Sequence, residues 1–252
     1  MKKINIIMCT SIFIIMLTSI SLARPGGGGS SGGGSSSGGS SSGGHGSSSY
    51  NRSNTNPTAS AVTSLAMTGV MISISRTNTI ISRFKVMKKE KECNSVIKEI
   101  SLYNSNYSLN KIYKDVSDTF YIQAKAWANM DQDIAIDYST SKLYNNHRTK
   151  LQWMSVRNER NILKKEKLIS MRVIGIDSNK NENIESIWIA IKGSMIDYIE
   201  KNGEITEGNK YIAKPYVEYW KFDSIDGRWL LDEIKQEGDL FELEQIGTIR
   251  IE

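Results

Sequence analysis

The stretch EYWKFDSIDGRWLLDEI, residues 218–234, predicts two β-strands joined by a tight turn. Apolar and aromatic residues crowd both flanks, and the dipeptide Asp226-Gly227 between them tolerates the positive φ angles that a hairpin turn requires. The first strand extends back to Tyr211, and Pro215 within it indicates an edge position or a bulge because proline cannot donate to a central ladder. The sequence therefore predicts an antiparallel hairpin at the end of the fold.

Apolar residues alternate with a period of two in two further segments upstream, which predicts two more strands. The second of these strands can extend to Ile199. We expect a long hairpin connection after it, because Asn202-Gly203 and then Gly208-Asn209 supply residues that tolerate positive φ. The alternating apolar positions are Ile169, Met171, Val173, Ile187, Ile189 and Ile191.

The segments before these strands have helical periodicity. Apolar residues recur three and four positions apart from Leu109 to Trp127, over about five turns, and again from Leu143 to Met154. A shorter helix is predicted over 94–103. Because helices precede strands and do not alternate with them, we predict an α+β fold in which N-terminal helices pack on a curved antiparallel sheet.

Composition separates this domain from a long N-terminal region. Of the 20 glycines in the 252 residues, 12 fall within 26–46, where serine is the other main residue. Residues 1–84 hold six of the 32 basic residues and no acid, which leaves 26 basic against 27 acidic residues in 85–252. The domain is therefore neutral, and this balance argues against a nucleic-acid partner, which needs clustered basic residues on the folded part.

The first segment of the chain has the form of a secretory signal. Lys2 and Lys3 precede an apolar run, and small residues end at Ala23, so residues 1–23 are predicted to be a signal peptide or an uncleaved signal anchor. Residues 24–57 are predicted to be a disordered, low-complexity Gly/Ser-rich linker, because they hold too few apolar residues to form a core.

A second apolar segment follows the linker. No charge occurs from Ser53 to Ser75, and we expect a transmembrane segment over 58–75; the alternative is a disordered or surface-lying continuation of the linker. A basic helix over 76–104 should follow it, and its charges favour a cytoplasmic position for the domain, single-pass after signal cleavage. A solvated helix start explains the same charges, and an exported domain is the alternative location. The basic residues expected to meet anionic headgroups are Arg76, Arg83, Lys85, Lys88, Lys89 and Lys91.

Two parts of the domain resemble a known family. The residues that carry the likeness are Tyr121-Ile122-Gln123-Ala124, Ala126-Trp127 and Asp131, together with Glu218-Tyr219-Trp220, Phe222 and the block Asp226 to Ile234. They resemble the domain named after the mitochondrial inner-membrane translocase subunit 44, whose bacterial members also have a leader, a Gly/Ser tract and an apolar segment. The resemblance covers residues 105–240 and leaves 241–252 as a C-terminal tail.

The resemblance implies a fold and a role. Members of that family are similar to nuclear transport factor two, in which helices pack into the concave side of a bent antiparallel sheet and leave a cone-shaped apolar pocket. The mitochondrial relatives associate with membrane lipid and tether an import motor. The resemblance therefore implies a membrane-peripheral domain that binds lipid or tethers a membrane-protein partner.

Candidate catalytic and metal-binding residues are sparse. His147 lies on the apolar stripe of its helix, where a structural role is expected. Asp131, Asp133 and Asp137 flank helix ends and are interpreted as caps, while Asp232 and Glu233 are adjacent on a strand and so point to opposite faces. Cys93 is the only cysteine of the domain, so neither a disulfide nor cysteine-based zinc spacing is available. We predict no catalytic residue, no metal and no cofactor.

Aromatic residues are the stronger signal in the domain. It contains all five tryptophans of the chain, most of which are expected in the core. A bent sheet crossed by a helix seldom fills completely, so we expect a residual apolar pocket lined by Phe120, Trp127 and Trp220. The resulting hypothesis is a membrane-anchored, non-enzymatic domain that binds through this pocket and the basic stretch; the alternative is an enzyme or small-ligand carrier of the same fold.

Overall fold

The computed structural model describes residues 82–178, 184–236 and 240–251. The predicted signal peptide, linker and transmembrane segment, as well as Arg76, lie outside the described residues. From residue 84 onward the chain belongs to one compact unit.

Three long helices precede the sheet. Two of them begin at hydroxyl caps: the Ser108 side chain accepts a hydrogen bond from the Lys111 N–H, and the Thr140 side chain accepts one from the Leu143 N–H, which satisfies backbone donors that the first turn leaves open. The helices are α1 (82–100), α2 (Leu109–Ala128) and α3 (Ser141–Val156), with short 3₁₀ helices at Ser105–Tyr107 and Gln132–Tyr138.

The predictions for α2 and α3 are confirmed in position and in face, whereas the helix predicted over 94–103 is the last part of α1 and ends at residue 100. The predicted stripe of α2 is buried at Ile112, Val116, Phe120, Ala124 and Trp127, all spaced three or four residues apart. α3 buries Leu143, His147, Leu151 and Met154 in the same way. Each helix therefore presents one apolar stripe to the sheet.

The described part of the sheet has five strands in the order β4-β3-β2-β1-β5. The four long strands pair antiparallel, and a short last strand pairs parallel to β1. The predicted fold class, α+β with N-terminal helices on a curved antiparallel sheet, is confirmed. The strands are β1 (Glu159–Ser178), β2 (Ile184–Lys201), β3 (Glu204–Ile225), β4 (Arg228–Gln236) and β5 (Ile249–Ile251), and α4 (Leu240–Gln245) precedes β5.

Two of the three predicted turn dipeptides form two-residue hairpin loops. Asn202 and Gly203 have φ angles of 53° and 85°, and Asp226 and Gly227 have φ angles of 50° and 74°. Positive φ at both central positions gives the turn whose twist matches that of the flanking strands. These dipeptides therefore fix where β2 ends and where β4 begins.

One turn prediction is wrong. Gly208-Asn209 does not belong to a long connection, because β3 starts directly after the Asn202-Gly203 turn and Gly208 pairs with Tyr198 inside the ladder. Gly208 has φ +85°, and a Cβ at this position would lie 2.3 Å from the Asp197 carbonyl oxygen. The glycine therefore permits a close backbone approach within the sheet.

β1 is longer than predicted and starts at Glu159, ten residues before the first predicted position. Its first half contains Lys164, Lys165, Glu166 and Lys167, so the apolar alternation that marks a strand is missing there. Backbone pairing with β2 holds this half in place. A strand that carries charged side chains and is held by backbone hydrogen bonds gives little sequence signal.

Apolar residues cover both faces of β2. Ile187, Ile189 and Ile191 join the main core beneath the helices. Trp188 and Ala190 point to the opposite face, where Leu243 and Ile246 from the C-terminal segment pack on them. This arrangement explains the nearly continuous apolar run of β2. The predicted tail 241–252 thus holds part of α4 and all of β5.

Candidate functional site

The three predicted pocket residues lie together in the main core. Phe120, Trp127 and Trp220 are 2%, 2% and 3% exposed, and the ring centroids of Phe120 and Trp220 are 6.0 Å apart. Trp220 also lies 6.2 Å from Phe222. The structure therefore brings Phe120 and Trp220 together at the helix–sheet interface, while Trp127 lies in the same core and its ring contacts His147; that the three residues line an open pocket stays a prediction.

A buried carboxylate lies beside these rings. Glu218 is 2% exposed, and its Oε2 accepts a hydrogen bond of 2.9 Å from the Trp220 indole N–H. Residues two apart on a strand share a face, so the pairing could have been read from the sequence. Sequence analysis used Glu218 for the family resemblance alone and missed this polar group inside the core.

His147 is 1% exposed, and its ring meets Trp127 edge to face at 5.2 Å. Its burial agrees with the prediction from the apolar stripe of α3. The imidazole packs as an aromatic component of the helix–helix contact.

Of the three aspartates near the short helix, Asp131 and Asp133 make separate hydrogen bonds and Asp137 lines a polar cleft. Asp131 caps the 3₁₀ helix by accepting the Asp133 N–H, as predicted. The carboxylate of Asp133 accepts a 2.5 Å hydrogen bond from the Tyr144 hydroxyl, and this bond raises the pKa of Tyr144. Among residues 82–178, 184–236 and 240–251, no three His, Cys, Asp or Glu side chains are grouped to hold a metal ion.

Asp232 joins the start of α3 to the edge of the sheet. Its carboxylate accepts hydrogen bonds from the Thr140 hydroxyl at 2.8 Å and from Lys142 Nζ at 2.9 Å. Burial acts to raise the pKa of Asp232, and the bonds from Lys142 and Thr140 outweigh burial and lower it. This carboxylate is charged and paired, which suits a structural role better than acid–base chemistry.

The basic stretch of α1 has one face packed on the domain. Lys85 forms an ion pair with Glu244, and Lys89 Nζ donates to the Ile246 carbonyl and, at 3.2 Å, to the Thr248 hydroxyl. Glu90 pairs with Arg172 of β1. Two of the predicted headgroup-binding lysines are therefore engaged in holding α1 to the C-terminal segment.

The opposite face of α1 is exposed. At 100° per residue, Phe84, Met87, Lys88, Lys91 and Lys98 fall within about a third of the helix circumference. Phe84 and Met87 are 69% and 54% exposed, and the three lysines are also exposed. Leu102 and Tyr103 continue this line into the following turn and are exposed too. We call these seven residues the α1 stripe.

Three other residues affect the charge of this face. Arg83 is exposed at the start of α1, and its contact with a headgroup stays a prediction. Glu92 and Glu99 are exposed along one flank of the α1 stripe. The stripe itself holds three lysines and no acid, so its centre is positive.

A separate polar cleft of about 430 Å³ opens between α2, the second 3₁₀ helix and the start of β4. Lys111 and Asp115 form an ion pair of 2.7 Å within it. Arg228 faces the same space and is exposed. Sequence analysis did not predict this cleft, because it forms where β4 packs beside α2, and these two elements lie far apart in the chain. The other lining residues are Asp118, Thr119, Asp137, Tyr138, Trp229 and Leu230.

No protein-family model matches the chain, and no curated protein matches it. Among solved structures, the intermembrane space region of the chloroplast protein ARC6 is similar with a TM-score of 0.41 and 7% identity over 51% of this chain and 95% of that one. An NTF-2 like protein of unknown function from Shewanella oneidensis MR-1 gives 0.27 and 12% over 49% of this chain and 96% of that one.

A candidate polyketide cyclase from Xanthomonas campestris pv. campestris gives a TM-score of 0.27 and 12% identity over 51% of this chain and 93% of that one. Likeness at these levels carries no argument about function. The narrower resemblance to the translocase subunit 44 domain gains no support from the comparisons. The described elements themselves define an α+β fold in which helices precede a curved antiparallel sheet.

The described helices include none that is both long enough and apolar enough to span a bilayer. The predicted span over 58–75 lies outside them.

Proposed function

We propose that this domain binds the surface of an anionic membrane through the α1 stripe, as a non-enzymatic docking or tethering module. The observation that carries the proposal is the division of α1 into two faces. One face is fixed to the domain by Lys85, Lys89 and Glu90, while the other leaves Phe84 and three lysines open to solvent.

This combination of residues fits a membrane interface. Aromatic and aliphatic side chains enter the boundary between headgroups and acyl chains, and lysines beside them meet anionic headgroups. Each lysine near such a surface contributes about 1 kcal/mol, so three lysines favour binding by roughly 100-fold. The docked face keeps the helix rigid, so little conformational entropy is lost when the stripe binds.

Lysine acetylation by a membrane-impermeant reagent tests the proposal on the full chain. We expect vesicles containing phosphatidylglycerol to slow the labelling of Lys88, Lys91 and Lys98 several-fold, and pure phosphatidylcholine vesicles to leave it unchanged. Lys114 and Lys125 are exposed on α2 and serve as internal controls. The labelling rate of each lysine reports only on its own surroundings. The test therefore remains valid if another part of the chain holds the protein on the vesicle.

Two matched variants complete the test. K88Q/K91Q/K98Q removes three charges from the α1 stripe, and K114Q/K125Q/R148Q removes three from exposed positions elsewhere. We expect the first to lower binding to anionic vesicles by roughly 100-fold and the second to bind like wild type. Equal binding by both variants, with no protection of the stripe lysines, would refute the proposal.

The polar cleft supports a second candidate function, the binding of a small polar ligand. Its charged walls hold Asp115, Asp118 and Asp137 together with Lys111 and Arg228, which suits a ligand with both charges. A thermal shift of the full chain with free amino acids as probes tests it. We expect a shift that Arg228→Gln abolishes; no shift with any amino acid would count against the candidate.

A further inference from the structure

The pairing register slips on both sides of β2 at the same level of the sheet. On one side, Ser194 and Ile196 pair with Lys167 and Lys164 of β1, so that β1 has two residues between partners where β2 has one. On the other side, Met195 and Asp197 pair with Lys214 and Asn209 of β3, so that residues 210–213 leave the ladder. Such irregularities bend a strand, and here two of them lie on opposite sides of β2 at the same level.

The excursion of β3 is a shaped loop. The Asn209 side-chain oxygen accepts hydrogen bonds from the backbone N–H of Tyr211 at 2.8 Å and of Ile212 at 3.0 Å. Tyr211 and Ile212 are nevertheless 75% and 61% exposed. Two adjacent apolar side chains held outward on a fixed backbone contribute nothing to the core and favour a role in contact with another surface.

Lysines flank this apolar pair. Lys210 and Lys214 lie on either side of it in sequence, and Lys210 is exposed. Lys164 and Lys167 of β1 lie about 10 Å away across two strand spacings, but they pair with Ile196 and Ser194 and so point to the sheet face opposite to Lys214, which pairs with Met195. The neighbouring acids are Glu207 and Asp197, and Asp197 is buried and accepts a 2.8 Å bond from the Asn161 amide. We call Lys210, Tyr211, Ile212 and Lys214 the bend patch.

We propose that the bend patch is a second membrane contact, in which Tyr211 and Ile212 enter the interfacial layer of an anionic bilayer and Lys210 and Lys214 meet its headgroups. This inference rests on the proposed membrane role of the domain and adds a surface outside α1. It assigns a partner to the segment of β3, residues 210–213, that leaves the ladder with β2.

The composition of the patch favours lipid over other partners. Tyrosine is enriched at membrane–water interfaces, and flanking lysines are typical of segments that meet anionic lipid. Protein–protein interfaces are depleted in lysine. A single-stranded nucleic acid needs successive rings on which bases stack, and Ile212 offers none.

Lysine acetylation of the full chain also tests this inference, with the double variant Y211S/I212S. In wild type we expect vesicles containing phosphatidylglycerol to slow labelling of Lys210 and Lys214 several-fold. In Y211S/I212S that protection should fall to about the level without vesicles, while protection of Lys88 and Lys91 is kept. W153S/V156S, which removes an exposed apolar pair from α3, should behave like wild type.

The outcomes separate the two proposals. Unchanged protection of Lys210 and Lys214 in Y211S/I212S, or none in wild type, overturns the bend patch and leaves the α1 stripe standing. Protection of the bend patch without protection of Lys88 and Lys91 overturns the α1 stripe and supports the bend patch. Protection by a single-stranded oligonucleotide instead of vesicles, or a sedimentation coefficient that falls in Y211S/I212S, identifies a different partner and also overturns the inference.

Discussion

The two halves of β3 belong to one continuous strand but differ in strand pairing and in burial. In the half formed by residues 218–225, residues 218–223 pair with both β2 and β4, and Tyr219, Trp220 and Phe222 are buried. The earlier half, from Glu204 to 217, pairs with β2 alone among the described strands and exposes Tyr211 and Ile212. The inner half therefore holds the fold together, while the outer half leaves apolar side chains free for a partner.

The same division occurs within α1. Cys93 and Ile97 are fully buried on its inner face, while Phe84 and Met87 are exposed on its outer face. Burial raises the pKa of the Cys93 thiol to about 12, which makes this cysteine chemically inert at neutral pH. Exposed apolar residues beside lysines thus recur on two elements of the domain, and both elements are otherwise well anchored.

The largest expected effect on stability comes from truncating a buried side chain in the inner half of β3. Phe222 is fully buried, and Phe222→Ala should lower the free energy of unfolding by about 4 kcal/mol because it leaves a cavity beside Trp220. Urea denaturation followed by tryptophan fluorescence measures this change. A loss below about 1 kcal/mol would mean that the inner half is loosely packed, and the contrast between the two halves would fail.

A pair of glycine substitutions tests how tightly the outer half is built. Gly208→Ala places a Cβ against the backbone of Asp197 and Tyr198, and we expect a loss of about 3 kcal/mol. Gly203 has the same φ of +85°, but nothing lies within 4 Å of its added Cβ, so Gly203→Ala should cost only about 1 kcal/mol. Equal losses in the two variants would show that the close approach at Gly208 is relaxed in solution.

The Asp232 contact should contribute about 2 kcal/mol near neutral pH. The folded-state pKa of Asp232 is lowered, so its stabilisation is present above the unfolded-state pKa of about 4 and is lost as pH falls through the folded-state value. Asp232→Asn should therefore be less stable than wild type at pH 7 and equal to it in strong acid. A constant difference across this range would assign the loss to packing.

The helices and hairpin turns were predicted well because each is determined by residues that lie close together in the chain. Apolar spacing marks α2 from Leu109, and the turn dipeptides at 202–203 and 226–227 fix two hairpins. The bend patch was missed because it depends on how β2 pairs with its neighbouring strands. The residues of a single strand do not show where that pairing changes register. The buried Glu218 and the polar cleft were missed for a related reason, since their environment comes from elements distant in sequence.

The smallest expected effect on stability comes from substitutions in the bend patch. It tests whether the exposed residues there contribute to the fold or are available to a partner. Tyr211 and Ile212 lose little area on folding, so Y211S/I212S should change the free energy of unfolding by less than about 0.5 kcal/mol. Urea denaturation of the purified full chain, with W153S/V156S for comparison, measures it. A loss above about 2 kcal/mol would mean that these side chains are covered in the folded protein, so that they could not meet a bilayer and the contrast with the inner half of β3 would disappear.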